Sequence, residues 1–255
     1  WTSLTWLATS TSRIRFGPLV TPCSFRHPVM TARMAAAVDE LSGGRLTLGL
    51  GAGWQEREHT NYGFDLLPVR GRFDRFTESV EIITRLLAGP DPLTYDGRHY
   101  RLREAVLLPR PRPGRPPILI GGNGRRRTLD LAARYAVEWN ATLQPVARWA
   151  ELNRRLDRLL RRYARSAAAV RRSMMTGFVF GRTTSEVEEK LRARGRTLAE
   201  MRGRGAIVGT PDEVVEQLAA LGEAGLQEVM LQWLDLDDLA GLELLARATL
   251  AVRDG

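Results

Sequence analysis

The residues of this chain best suited to chemistry are Gly121, Gly122, Asn123 and Gly124, with Thr128 four residues further on. They end an apolar run, Ile118-Leu119-Ile120, and lead through Arg125, Arg126 and Arg127 into a patterned segment that closes at Tyr135. Read locally, this is a strand, a tight glycine turn and a helix N-terminus. Glycine lets backbone approach a ligand closely, and the first N–H groups of a helix point outward with the positive end of its dipole behind them. The combination suits an anion, most often a phosphate. A plain strand-to-helix turn accounts for the same glycines, because a short glycine motif has low specificity.

Other predicted strand ends carry unusual residues too: Gly17-Pro18-Leu19-Val20-Thr21, Gly51-Ala52-Gly53-Trp54, Trp139-Asn140 and Gln232-Trp233. Glycines at three strand ends imply backbone lying against something flat or anionic, and tryptophans beside them offer apolar walls for a planar ring. An aromatic cofactor with a phosphate fits this better than a small polar metabolite. Trp139 and Trp233 can equally cap a core. His27, His59 and His99 lack metal-site spacing, His27 before Pro28 reads as a turn residue, and Glu56 and Glu58 read as part of a solvated polar loop. No nucleophile-base triad or paired acid stands out, so the reactive partner is expected to be a cofactor.

The elements that must position these residues alternate. Strands are predicted at Ile14 to Val20, Leu46 to Leu50, Ile118 to Ile120, Glu138 to Asn140, Met174 to Phe180 and Glu228 to Gln232, with a loop over Thr21 to His27. Helical stripes follow: Met34, Val38 and Leu41 after Pro28; Phe73, Phe76, Val80, Ile83 and Leu87; Trp149, Leu152, Leu156, Leu159 and Tyr163; and Leu239 to Val252. A proline-rich insertion, 89–117, holds a hairpin around Asp96-Gly97, and a second insertion, polar and arginine-rich, covers 182–205 and is at least partly helical. Thr210 and Glu213 have capping-box spacing. Short apolar strands alternating with helices define a parallel α/β fold with ligands at the carboxyl ends of its strands. The first residues, Trp1, Leu4, Leu7 and Ala8, already follow helical spacing, so the chain is expected to lack an N-terminal portion. A further βαβ unit of roughly 30 residues there would complete a closed eight-stranded barrel; an open doubly wound sheet is the alternative.

The 255 residues, 44% hydrophobic and 26% charged, support one large domain or two small ones. No apolar run approaches the roughly 18 residues of a membrane span, the start lacks signal-peptide regions, and Cys23 is the only cysteine, so a soluble cytoplasmic protein is expected. The net charge of +9 invites a nucleic-acid reading. Against it, Lys190 is the only lysine among 38 basic residues, and the arginines are scattered over every segment. We read a compositional bias toward arginine, with neither nucleic acid nor membrane as partner.

The stretches SRIRFGPLVTPCSFRHPVMTARMAAAVDELSGGRLTLGLGAGWQEREHTNYGFDL, RFDRFTESVEII, PPILIGGNGRRRTLDLAARYAVEWN and GTPDEVVEQLAALGEAGLQEVMLQW resemble the luciferase-like monooxygenase superfamily, and within it the coenzyme F420 (deazaflavin) dependent oxidoreductases. The resemblance runs from Ser12 to Leu250 and implies a single (β/α)8 TIM-barrel domain over 1–255, lacking its first βαβ portion in this chain. It implies that Gly121, Gly122, Asn123, Gly124 and Thr128 hold a phosphate, with Arg125 to Arg127 adding charge. It also implies that Gly17, Pro18, Leu19, Val20 and Thr21 form a bulge, with Pro18-Leu19 as a cis peptide, against the central ring. Gly51, Ala52, Gly53 and Trp54 would flank that ring. Family members carry an Asp-His or similar pair at the end of a second strand, in a region that would precede Trp1, so no catalytic residue is assigned. The implied activity is hydride transfer between the deazaflavin and a small organic substrate. An FMN-dependent monooxygenase and a non-catalytic flavin- or deazaflavin-binding protein are the alternatives. The family forms dimers, and the small-residue helix Ala32 to Val38 would suit packing between two copies.

Overall fold

Buried apolar runs become parallel strands in this chain, and the patterned runs after them become helices. A computed structural model describes residues 1–89, 91–112 and 116–250. Its contacts divide the chain into two units: Trp1–Trp139 with Leu159–Val170, and Asn140–Arg158 with the chain from Arg171 onward.

The first unit begins with α1 (Thr2–Ser10), β1 (Thr21–Pro22), α2 (Pro28–Leu41), β2 (Leu48–Gly51), α3 (Glu56–Tyr62) and α4 (Val69–Ala88). An antiparallel hairpin, β3 (Leu93–Asp96) and β4 (Arg101–Ala105), precedes β5 (Ile118–Gly121) and α5 (Arg127–Tyr135). Strand β2 lies between β1 and β5 and is parallel to both, which brings three strand ends side by side. Phe76, Val80, Ile83 and Leu87 of α4 are buried at helical spacing, and each such side chain contributes roughly 1.5–3 kcal/mol. The hairpin tip is fastened to α4, because the Glu78 carboxylate accepts the N–H groups of Arg98, His99 and Tyr100 at 2.9, 2.9 and 3.1 Å. Ala32, Ala35 and Val38 of α2 are buried inside this unit, while Ala36 is half-buried and Ala37 exposed.

β6 (Glu138–Thr142) and α6 (Val146–Arg162) contribute residues to both units. The second unit adds β7 (Arg171–Phe180), α7 (Thr184–Ala193), α8 (Leu198–Gly203), β8 (Ile207–Gly209), α9 (Pro211–Glu223), β9 (Glu228–Gln232) and α10 (Leu239–Leu250). β7 pairs in parallel with β8 through Phe178↔Ile207 and with β9 through Ser173↔Glu228. The capping box read at Thr210 and Glu213 is present, with the Thr210 N–H donating to the Glu213 carboxylate at 3.0 Å.

Three sequence expectations change. Ile14 to Val20 is not a buried strand: Ile14 is 51% exposed, only Phe16 bridges to Leu46, and the paired strand is Thr21–Pro22 inside the expected loop. The loop holding Glu56 and Glu58 is α3, whose one buried residue, His59, leaves no apolar stripe to read. Ile207–Gly209 is a strand that three residues are too short to announce. The arginine-rich stretch after Arg182 folds as α7 and α8.

The extended segment before β1 is held by Arg45. Its guanidinium donates to Ser42 O at 2.8 Å, Ile14 O at 2.9 Å, Ala8 O at 2.8 Å, Thr11 O at 2.7 Å and Thr11 Oγ1 at 2.8 Å. Replacing it strands several carbonyls at once. Arg45→Met is therefore expected to lower stability by about 2–4 kcal/mol, read as a lower urea midpoint at unchanged slope.

Candidate cofactor site

The site starts from a register difference. Phe16 pairs with Leu46 but Thr21 with Leu50, so the first segment carries one residue more than its neighbour, which is a bulge. The cis peptide lies at Leu19-Val20, one bond beyond the expected Pro18-Leu19. The Pro18 carbonyl oxygen lies 2.0 Å from where residue 49 would carry a β carbon, so glycine is required there. Beyond the bulge the Val20 side chain lies across two strand ends. A β carbon on Gly51 would fall 2.5 Å from Val20 Cγ2, and one on Gly121 2.7 Å from Val20 Cγ1. Both positions must be glycine for Val20 to occupy this seat. Leu19 is partly exposed on the same rim, and Thr21 is buried as the first pairing residue.

The turn after β5 has its own constraints. Gly122 has φ +124°, which side-chain-bearing residues rarely adopt, and a β carbon on Gly124 would lie 2.4 Å from Thr128 Oγ1. Thr128 is buried in the first turn of α5, and no side chain caps that helix. The fully buried Trp139 donates its indole N–H to Gly122 O at 2.9 Å, so its ring packs in the core while its polar edge fixes the turn. All three arginines are exposed. Arg127 is fastened to α4, donating to Arg70 O at 2.9 Å and Asp74 Oδ1 at 3.0 Å over the Phe73 ring.

The loop Gly51-Ala52-Gly53-Trp54 is tied down by residues that sequence reasoning did not select. His59 Nδ1 donates to Gln55 O at 2.7 Å, so Nε2 is the acceptor for the Ser24 hydroxyl at 2.8 Å. Gly53, at φ +82°, packs directly on that pair, and Arg72 donates to Gly53 O at 3.3 Å. The Cys23 N–H donates to Gly51 O at 3.0 Å. Trp54 stands 77% exposed, free to act as a wall. Neither His59 nor Arg72 lies in a readable motif; their partners are mostly carbonyls, which no residue type reports.

The remaining candidates have structural roles. His27 caps α2, its Nδ1 accepting from Val29 N at 3.3 Å, and burial pushes its pKa down. Glu56 and Glu58 are exposed at the start of α3, where the helix dipole favours them. Trp233, in the second unit, packs on Phe178 and Phe180 with ring centroids 5.9 and 6.1 Å away. Among the described residues no cluster of His, Cys, Asp or Glu could hold a metal, and no helix is long and apolar enough to cross a membrane.

Known proteins resemble this chain in sequence and in fold. The family model for luciferase-like monooxygenases matches residues 1–201. The chain is similar to the 4-hydroxyprotoasukamycin monooxygenase of Streptomyces nodosus subsp. asukaensis, 30% identical over 268 residues that cover 91% of this chain and 70% of the relative. It is also similar to the F420-dependent glucose-6-phosphate dehydrogenase of Microbacterium testaceum, 35% identical over 138 residues, 52% of this chain. That match covers 40% of the dehydrogenase, and others cover less than two thirds of their relatives as well. Among solved structures, the F420-dependent tetrahydromethanopterin reductase from Methanopyrus kandleri superposes with a TM-score of 0.80 at 20% identity, over 98% of this chain and 86% of that one. The likeness identifies the fold class as the parallel α/β architecture of the luciferase-like TIM barrel.

The Val20 seat is testable without ligand. Gly51→Ala should cost about 1–3 kcal/mol by overpacking, and Val20→Ala should relieve most of that cost. Urea unfolding of both single variants and the double variant measures the coupling; additive costs would disprove the seat. Burial pushes the Cys23 thiol up to about 11 from an ordinary 9.0, despite the nearby Arg75 cation. Folding therefore favours the protonated thiol, and this contribution is complete below pH 9 and lost as pH rises toward 11. Cys23→Ala should flatten the fall in urea midpoint across that window relative to the parent.

Proposed function

The chain belongs to the luciferase-like monooxygenase family, and from that premise we propose that it is an oxidoreductase in which a deazaflavin, coenzyme F420, exchanges hydride with a small organic substrate. One observation carries the reading: three strand ends meet around Val20, two of them glycine where a β carbon would collide, and an uncapped helix start follows the third. A flat apolar platform centred on Val20, next to a helix start that no side chain caps, suits a planar ring with a phosphate-bearing tail.

In this reading Gly17, Pro18, Leu19, Val20 and Thr21 support one face of the ring, with Val20 as a firm apolar seat. Gly51, Ala52, Gly53 and Trp54 flank the ring, and the exposed indole shields one side from water. Gly121, Gly122, Asn123 and Gly124 bring backbone up to the phosphate, with the Thr128 hydroxyl, the first N–H groups of α5 and Arg125 as donors. Arg127 is assigned no part, since Asp74 and Arg70 O already hold it. The bound deazaflavin supplies the hydride chemistry, and the protein supplies position and exclusion of water.

A second reading, FMN-dependent oxygenation, is supported by the 30% identity to a monooxygenase across 91% of the chain. Titrating the protein with F420 and with FMN, followed by fluorescence, separates the two; tight FMN binding without affinity for F420 would overturn the deazaflavin assignment. Gly122→Val should weaken binding of the preferred cofactor by roughly tenfold or more while circular dichroism stays that of the parent. Equal affinity would show that Gly122 only turns the chain.

A further inference from the structure

The same unit holds a second concavity that the proposed cofactor residues leave unused. It is an open cleft of about 450 Å³, lined by Leu67 and Pro68 just before α4, by Arg70, Gly71 and Asp74 of its first turns, and by Arg98 and His99 of the hairpin tip. That volume lies within the range of small-molecule sites, and Leu67 and Pro68 give it an apolar wall.

Its charges are unbalanced. Asp74 is the one carboxylate in the lining; Arg127 engages it at 3.0 Å and Arg98 stands 4.0 Å away. The next carboxylate, Glu78, is occupied by the three hairpin N–H groups. The Arg70 guanidinium has no partner among the described residues. The lining thus holds two guanidinium groups, Arg70 and Arg98, against one carboxylate that Arg127, outside the lining, already engages. Both sides of it are anchored, the hairpin tip through Glu78 and the start of α4 through Arg127, so the arrangement is held before any ligand arrives.

We propose that this cleft recognises the carboxylate or phosphate of an anionic small molecule, with Arg70 and Arg98 as its donors and Leu67 and Pro68 as its apolar wall. Guanidinium forks suit such planar or tetrahedral anions through paired charge-assisted hydrogen bonds. Arg127 begins the helix that leaves the glycine turn, so the anion has two natural sources: an acidic substrate, or the acidic tail of the deazaflavin. Only the tail source rests on the cofactor reading above.

The test is calorimetric titration at low salt of the full chain and the variant Arg70→Ser/Arg98→Ser. Three probes are used: F420 with its glutamate tail, the tail-less deazaflavin, and citrate. The variant is expected to bind F420 or citrate about tenfold more weakly, equivalent to about 1.4 kcal/mol, with the tail-less compound unchanged and the parent's affinity falling as salt rises. A loss confined to F420 identifies the tail as the source; a loss confined to citrate identifies a separate acid. Equal affinities in parent and variant, a parent that binds neither acidic probe, or a matching loss for the tail-less compound would overturn the proposal. A parent that binds citrate but no deazaflavin would reject the cofactor reading and leave the cleft standing. Both arginines are surface residues, so the variant should unfold at the parent's temperature, which thermal melting verifies.

Discussion

A single steric condition governs the centre of the first unit: the side chain of Val20 fills the space where residues 51 and 121 would otherwise carry β carbons. Three neighbouring strands must end level for one isopropyl group to reach both glycines, and the parallel register Thr21↔Leu50 and Leu50↔Ile120 meets that requirement. The extra residue between Phe16 and Thr21 is what brings Val20 over the sheet end. The result is an apolar, close-packed platform at the place where a parallel α/β fold receives ligands. Dispersion with a flat ring acts through many weak contacts and suits such a platform better than one polar group would.

Around the platform the loops are held by buried polar atoms aimed at main chain. Trp139 fixes the turn at Gly122, His59 and Ser24 support Gly53, and Cys23 and Arg72 tie the carbonyls of Gly51 and Gly53. Each tie removes freedom that a ligand would otherwise have to suppress on binding. Trp54 and Leu19 escape this pattern and stay exposed on the rim.

This division explains what the sequence could disclose. Strands β2, β5 and β7 are legible because burial on both faces leaves short apolar runs, and the half-buried β9 is legible from Val229-Met230-Leu231 alone. The glycine sites were legible because few constraints select glycine so strongly. The paired part of β1 was misplaced: the bulge shifts pairing to Thr21-Pro22, where proline speaks against a strand, and leaves the more strand-like Ile14 in solvent. The direction of Arg127 was hidden for a different reason. A basic residue at a helix start suits an anion site by position, but Asp74, 53 residues earlier in the chain, captures it, and only the packing of α5 against α4 brings the two together.

The arginine bias acquires a physical account from the same kind of contact. Arg45 reaches four main-chain carbonyls, Arg165 reaches those of Ala133, Ala136 and Ala169 at 2.8, 2.8 and 3.2 Å, and Arg202 closes on Val208 O at 2.8 Å. Helix ends and strand approaches leave carbonyls without partners, and a planar fork with five donors satisfies several at once where an ammonium would serve fewer with poorer geometry. Lys190, the only lysine, sits where a point charge works as well: its ammonium donates to Phe180 O at 2.9 Å and lies 3.2–3.4 Å from the carboxylates of Glu186, Asp235 and Asp238. Part of the positive charge is therefore committed to holding backbone in place. Arg70 lies outside such contacts, beside a cleft and without an internal partner among the described residues.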